Sequence, residues 1–140
     1  MSKSDYWENR VLDHILGATA SVAPVTLYVG VLTTAASDAS TSGTLTPGVE
    51  VTGGSYARVA VTNNATNFPA ASAGSKSNGA AVTFPVPSAN WGVIVGFIIS
   101  DVASGAGNIY YHGLVTPNKT VNNGDPAPSF AIGALVVTEG

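Results

Sequence analysis

The residues able to do acid–base or nucleophilic chemistry are few and scattered. The chain carries two histidines, five basic and eight acidic residues, and no cysteine. Without cysteine there is no disulfide framework, no thiolate nucleophile and no thiolate metal site. His14 and His112 stand far apart, and neither has a partner at His-x-x-x-His or Glu-x-x-His spacing, so no metal site is expected. His14 lies one position off an apolar stripe and reads as a solvated or interface residue. His112, in Tyr110-Tyr111-His112-Gly113, reads as a packed or hydrogen-bonded strand residue rather than a general base. Glu50 with Asp101 or Asp125 is the one conceivable carboxylate pair for hydrolysis. Nothing in the sequence brings those acids together, and Asp101, ahead of Val102-Ala103-Ser104-Gly105, has the position of a turn former. Gly53-Gly54-Ser55-Tyr56-Ala57 comes nearest to a nucleophile elbow but has Ala where the motif ends in glycine. No glycine-rich phosphate loop precedes a helix, because the single predicted helix comes first. The expectation is a protein that is not an enzyme, with no catalytic residue, cofactor, metal or small-molecule substrate.

What remains is binding, and the charge content bounds its kind. Charged residues make up 9% of the 140 positions, against about 25% in an ordinary globular domain. A folded monomer of this length exposes roughly 6,700 Å², so its charges stand about one per 500 Å². Such a surface is expected to be covered in the working state or clothed in neutral Ser, Thr, Asn and Gly. Five scattered basic residues exclude a nucleic-acid-binding face as the main function. The opening residues, Met1 to Arg10, lack the apolar core of a signal peptide. The longest apolar stretch, Trp91 to Ile99, holds two glycines and falls short of the ~20 residues of a membrane span. Neither an export signal nor a membrane partner is expected.

One segment has helical periodicity. From Asp5 to Leu16, the residues Trp7, Val11, Leu12, Ile15 and Leu16 form a single stripe. Asp5 and Glu8 have capping-box spacing, Ser4 is the competing cap, and Gly17 is the expected stop. Five charged residues crowd this short stretch (Lys3, Asp5, Glu8, Arg10 and Asp13), which sets residues 1–17 apart as an amphipathic arm on a neutral body, residues 18–140. The body reads as strands and turns. Strands are predicted at Val25 to Thr34, Tyr56 to Thr62, Ala81 to Val86, Gly92 to Ser100, Asn108 to Thr116 and Ser129 to Thr138, with shorter candidates at Val49 to Thr52 and Lys119 to Asn122. Pro85 marks an edge strand. Gly92 to Ser100 is apolar on both faces, as a central strand is, and the Ser104–Gly107 turn makes a hairpin with the strand that follows. Ala35 to Gly48 and Asn63 to Asn78 are long neutral loops, of the kind that carry function or become ordered on a partner. The fold class is all-β: an antiparallel β-sandwich or jelly roll with one short N-terminal α-helix.

A terminal helix of about twelve residues is marginal alone in water and must dock, on its own sandwich or on another chain. It is also where charge, amphipathicity and aromatic residues coincide. Trp7 and Val11 are therefore the candidate apolar anchors of a protein interface, Tyr6 and Arg10 its polar rim, and Arg58 completes the candidate set. Trp91 and Phe97 are expected in the core. Low charge density and the prevalence of two-fold symmetry point to self-association as a homodimer.

Asp5-Tyr6-Trp7-Glu8-Asn9-Arg10-Val11-Leu12-Asp13-His14-Ile15-Leu16-Gly17 resembles the opening of a family of short virion proteins of tailed phages. The likeness continues through Tyr28–Thr33, the block Glu50-Val51-Thr52-Gly53-Gly54-Ser55-Tyr56-Ala57-Arg58, Phe84-Pro85, Ala89-Asn90-Trp91-Gly92, Leu114-Val115-Thr116 and Lys119–Asp125. Two local departures are the strongly apolar strand at Val95 to Ser100 and the Pro126-Ala127-Pro128 interruption. Such proteins are labelled tail-fibre-like proteins or capsid decoration (cement) proteins, and by its size this chain is most similar to the cement type. The resemblance implies a jelly roll on the outer surface of an HK97-type capsid, with the major capsid protein as partner and stabilisation of the shell against DNA pressure as its role. The alternative is a tail-fibre, tail-tip or receptor-binding module; the sequence has neither the extended repeats nor the heptads of a fibre shaft.

Overall fold

The strand that organises the chain is the one whose alternation is plainest. In the computed structural model, which describes residues 1–139, Thr26–Thr34 lies within a six-stranded antiparallel sheet and pairs with three of its strands. The elements in chain order are β1 (Ser2–Lys3), α1 (Asp5–Leu16), β2 (Thr26–Thr34), β3 (Val49–Glu50), β4 (Val59–Thr62), β5 (Ser75–Ser77), β6 (Val82–Thr83), β7 (Gly92–Ser100), β8 (Ile109–Val121), β9 (Ser129–Phe130) and β10 (Val136–Thr138). The main sheet runs β1-β8-β7-β2-β3, and β4 also pairs with β2. Tyr28 to Leu32 pair with β7, Thr26 to Val29 with β4, and Leu32 and Thr34 with β3. Since β7 occupies one edge of β2, β3 and β4 follow one another along the other.

Side-chain alternation divides the sheet's burial between two faces. Val29, Val31, Phe97 and Ile99 belong to the main core, with Val82 of β6, Phe84, Trp91 and Leu135. Phe130 of β9 and Val137 of β10 close over the same cluster. The second layer is thus two short ribbons, β6–β9 and β5–β10, rather than a second broad sheet. On the other face Leu32, Ile98 and Ile109 are covered by Ala36 and Leu45 from the 35–48 loop. The all-β class with one N-terminal helix holds, as does the burial of Trp91 and Phe97, each 5% exposed.

Several strand expectations change. Ala81 to Val86 shrinks to β6 and Val49 to Thr52 to β3. Ser129 to Thr138 divides into β9 and β10 around a turn in which Gly133 has φ +77°. Asn78, 2% exposed, grips that turn: its amide donates to the Ala131 carbonyl at 2.9 Å and its oxygen accepts from the Leu135 N–H at 2.9 Å. Asn108 to Thr116 and Lys119 to Asn122 merge into β8, with an irregularity opposite Ile94–Gly96. Tyr56 to Thr62 shortens to β4, because Tyr56 and Arg58 are drawn into the sheet edge. β1 and β5 are polar two- and three-residue strands, too short to leave an alternation in the sequence.

The gap between β3 and β4 is filled by side chains. Gly53, Gly54 and Ser55 take φ of +71°, +58° and +64°, a left-handed run that only glycine adopts without cost, and carry the chain out from the sheet and back. The Tyr56 hydroxyl then accepts the Val31 N–H at 3.0 Å and donates to Glu50 Oε1 at 2.7 Å. Burial, and then the Glu50 carboxylate, push the Tyr56 phenol well above its ordinary value. Arg58 closes the arrangement. Its Nε and Nη2 donate to the two Glu50 oxygens at 2.8 and 2.7 Å, and its Nη1 to Ser42 Oγ at 2.6 Å and to Ser100 Oγ and the Val102 carbonyl at 3.0 Å each. Gly30 lies beneath: a Cβ there would sit 2.8 Å from Glu50 Oε1 and 3.0 Å from the Tyr56 hydroxyl.

The Arg58 side chain is 3% exposed and Glu50 17%, so removing one partner leaves the other charge uncompensated. Glu50→Ala is expected to cost about 3–5 kcal/mol, read in urea unfolding as a lower midpoint with unchanged slope. A loss below about 1 kcal/mol, the scale of a solvent-exposed pair, would contradict the role given to Arg58.

Candidate functional site

The N-terminal arm is held at its root by a dense polar network. β1 adds to the edge of β8, with Ser2 opposite His112 and Lys3 opposite Tyr111. Ser4, fully buried, caps α1: its hydroxyl accepts the Trp7 N–H at 3.3 Å and donates to the Ile109 carbonyl, while its own N–H reaches the Tyr110 carbonyl at 3.1 Å. Asp5 and Glu8 occupy the first turn, at the positive end of the helix dipole. Asp38 Oδ1 accepts the Ser2 hydroxyl at 2.7 Å and lies 2.9 Å from His112 Nε2, and these bonds hold the Asp38 carboxyl below its ordinary value. The Trp7 indole N–H donates to the Tyr111 hydroxyl at 2.8 Å, which donates to Glu139 at 2.8 Å, and Lys3 pairs with the other Glu139 oxygen at 2.6 Å. Residues near both ends of the chain thus share one network. The Tyr6 and Trp7 rings pack against Tyr110, centroids 5.6 and 5.1 Å apart, and burial raises the phenols of Tyr110 and Tyr111.

Past the root the helix loses its cover. Tyr6, Trp7, Arg10 and Val11 are half-buried, but Leu12, Ile15 and Leu16 are 55%, 70% and 81% exposed, and α1 buries no residue fully. Gly17 closes the helix as expected, its N–H on the Asp13 carbonyl at 3.0 Å. Val22 and Val25, on the segment leading to β2, are 79% and 80% exposed. The stripe read from the sequence therefore splits: its first half faces the protein's own sheet and its second half faces solvent. Between the helix root and the second layer lies an open cavity of about 370 Å³ with Trp7, Phe68, Tyr110, Leu135 and Val137 among its walls and Lys76 and Glu139 at its polar side.

Of the candidate interface residues, Tyr6, Trp7, Arg10 and Val11 come together at the helix root. Arg58 does not join them. It is an internal strut whose guanidinium is enclosed by Glu50, Ser42, Ser100 and the Val102 carbonyl, which corrects its placement at an interface. The more exposed apolar residues Leu12, Ile15, Leu16, Val22 and Val25 were absent from the candidate set; periodicity names the members of a stripe but not which of them a sheet will cover.

The acids of the conceivable hydrolytic pair and both histidines have structural partners. Glu50 binds Arg58, Asp101 accepts the Asn108 backbone N–H and side-chain amide at 2.8 Å each, and Asp125 accepts the Asn122 N–H at 2.8 Å. His112 meets Asp38, and His14 Nδ1 lies 3.3 Å from the Thr19 carbonyl. Among the described residues no group of three His, Asp or Glu is placed to hold a metal ion, and no helix is long and apolar enough to cross a membrane. The arrangement offers an apolar helix face and an open aromatic-walled cavity, which are surfaces for binding.

Residues 2–138 match the model of a protein family described as "Podophage GP4 fiber I protein gp80". A search of curated proteins found no match. The family match overturns the resemblance to capsid decoration proteins, and with it the cement function: the matching family is one of tail fibres. The resemblance left both labels open, and small size, which does not separate a fibre protein from a cement protein, was the argument for the cement type.

The carboxyls of Asp38 and Glu139 are both lowered, from 3.8 and 4.5. For Glu139 burial acts in the opposite direction, and the bonds from Lys3 and Tyr111 outweigh it. Both groups therefore stabilise the docked arm fully above those ordinary values and lose that contribution as pH falls through their lower folded values. Lys3 is raised above 10.5, chiefly by its bond to Glu139, so its contribution is lost as pH rises through the folded value. The Trp7 indole N–H resonance is expected to stay protected from exchange between these limits and to lose protection below pH 3.8, before the β2 and β7 amides do. Simultaneous loss throughout the sheet would contradict a separately anchored arm.

Proposed function

The chain belongs to the family described as Podophage GP4 fiber I protein gp80 and is a phage virion component; on that premise we propose that it is a structural, non-catalytic module of the tail fibre of a short-tailed phage. The match across residues 2–138 carries this reading. Three properties support it. The surface is poor in charge, as suits a protein surrounded by others. Glu50, Asp101, Asp125 and both histidines, the groups considered for acid–base chemistry, have partners within the fold. An amphipathic helix stands on a rigid root with half its apolar stripe uncovered. The lack of repeats and heptads fits a compact element of the fibre rather than its shaft. Its partners are then other tail proteins and further copies of itself, and the reason for expecting the major capsid protein as partner goes with the cement reading.

Location and copy number test this. Antibodies against the protein, labelled with gold, are expected to mark the tail of intact virions, at a copy number far below that of the major capsid protein. Virions lacking it are expected to retain DNA on heating as well as wild type while adsorbing poorly to cells. Labelling over the whole head, at a copy number comparable to the capsid protein's, would refute the fibre reading.

A further inference from the structure

We propose that the N-terminal arm, β1 with α1, is exchanged between copies of this chain: it seats on its own body in the dilute chain and on the body of a second copy at high concentration, so that each chain completes the other's sheet edge. The seat and its occupant are both in the structure. β1 pairs with the edge of β8. The Ser4 N–H reaches the Tyr110 carbonyl at 3.1 Å, and the Asp5 N–H the Asp38 carbonyl at 2.8 Å. Trp7 bonds the Tyr111 hydroxyl and Lys3 pairs with Glu139. All these partners lie far along the chain, beyond the connector that joins the arm to β2. The same contacts therefore form whether arm and body belong to one copy or to two, which is what makes exchange of an element a low-cost route to a dimer.

The connector decides between the two forms. Residues 17–25 hold no helix or strand, and all but Ser21 and Pro24 are exposed. The first bonds of the connector run to its own helix: the Thr19 N–H to the Asp13 carbonyl at 3.0 Å, and the Thr19 carbonyl to His14. The body takes hold at Pro24 and Val25, whose carbonyls accept from Asn63 at 2.9 Å each. Residues 17–23 are thus the free part of the connector, with a reach of about 23 Å when extended. Seating the arm on its own body also strains this connector. The chain leaves α1 through Ala18 at φ +52°, the left-handed conformation that helix ends ordinarily give to glycine. The glycine stands one place too early, Gly17 having φ −111°. An arm seated on a second copy frees Ala18 to take an ordinary extended conformation, so the strain favours exchange and mass action completes it as concentration rises. This inference does not depend on the fibre assignment; it holds or fails on the purified chain.

The test uses the full chain, mixed in acid below 3.8, the ordinary value of the Asp38 carboxyl, so that the arm is released, and then returned to neutral pH at high concentration. Because the chain has no cysteine, Lys3→Cys and Tyr111→Cys, direct partners across β1 and β8, can be placed in different chains. Mild oxidation of the mixture is expected to join position 3 of one chain to position 111 of another, identified by peptide mass mapping, while either variant alone stays unlinked. Sedimentation of cysteine-free chains gives the second readout. Wild type is expected to form a concentration-dependent dimer. Ala18→Gly removes the strain of the self-seated form at both connectors and is expected to raise the dissociation constant at least about tenfold. Ala18→Pro fixes φ at about −65°, forbids the self-seated turn, and is expected to lower the dissociation constant by at least as much. A wild-type monomer at high concentration, a dimer without the link from position 3 to position 111, or a dissociation constant unmoved by the two Ala18 variants would each overturn the proposal.

Discussion

The bidentate pair between Arg58 and Glu50 is the interaction on which the remaining structure depends. β2 must bond β7 along one edge, and along the other it has only two short strands with a gap between them. A gap in a sheet edge leaves backbone donors without partners, which is costly once they are buried. Here the gap is occupied by the Tyr56 hydroxyl, held by Glu50, which is held in turn by Arg58. The guanidinium's remaining donors reach the 35–48 loop at Ser42, the end of β7 at Ser100 and the following turn at Val102. One side chain therefore fixes the sheet edge, the loop covering the sheet's second face and the start of the β7–β8 hairpin turn. Gly30 makes room for it, and the left-handed run at Gly53–Ser55 delivers it.

Much of this was legible in the sequence, though not its purpose. The alternation of β2, the two-sided apolar run of β7, the following turn and the helix with its Ser4 and Gly17 boundaries are all local signals, and local signals survive folding. The block Gly53-Gly54-Ser55-Tyr56-Ala57-Arg58 stood out, but as a mark of family resemblance, with Arg58 placed at an interface. An arginine in a chain so poor in charge reads as exposed, because burial of its charge depends on a carboxylate whose position only the fold determines. The division of Ser129 to Thr138 was hidden for a related reason. Its apolar residues suggest one strand, and the turn is imposed by Asn78, some fifty residues earlier. Paired ribbons as short as β1 and β5 hold together through backbone bonds to partners far along the chain, and leave no pattern in side-chain type.

The site divides at the same boundary between local and non-local information. Trp7 and Val11, found by periodicity, and Tyr6 and Arg10, named as the rim beside them, do gather at one place, the anchored root of α1. Whether a stripe is covered depends on where the sheet ends beneath it, so the exposure of Leu12, Ile15 and Leu16, though not their place in the stripe, emerged only from the fold. The structure gives the arm an unequal character: its first turns are bound by Ser4, Trp7, Asp38 and Glu139, while its last turns carry apolar side chains into water. Rigid at one end and uncovered at the other, it suits a helix that meets a neighbouring chain without needing to fold at the moment of contact, which removes an ordering cost from assembly.

The central claim is that this helix face is covered in the assembled tail and bare in the free chain. Hydrogen–deuterium exchange of α1, measured on the isolated protein below its association range and on tails purified from virions, tests it directly. The account predicts that the amides of Leu12 to Leu16 exchange much more slowly in the tail, while those of β2 and β7 are unchanged. Equal exchange of α1 in the two states would contradict it.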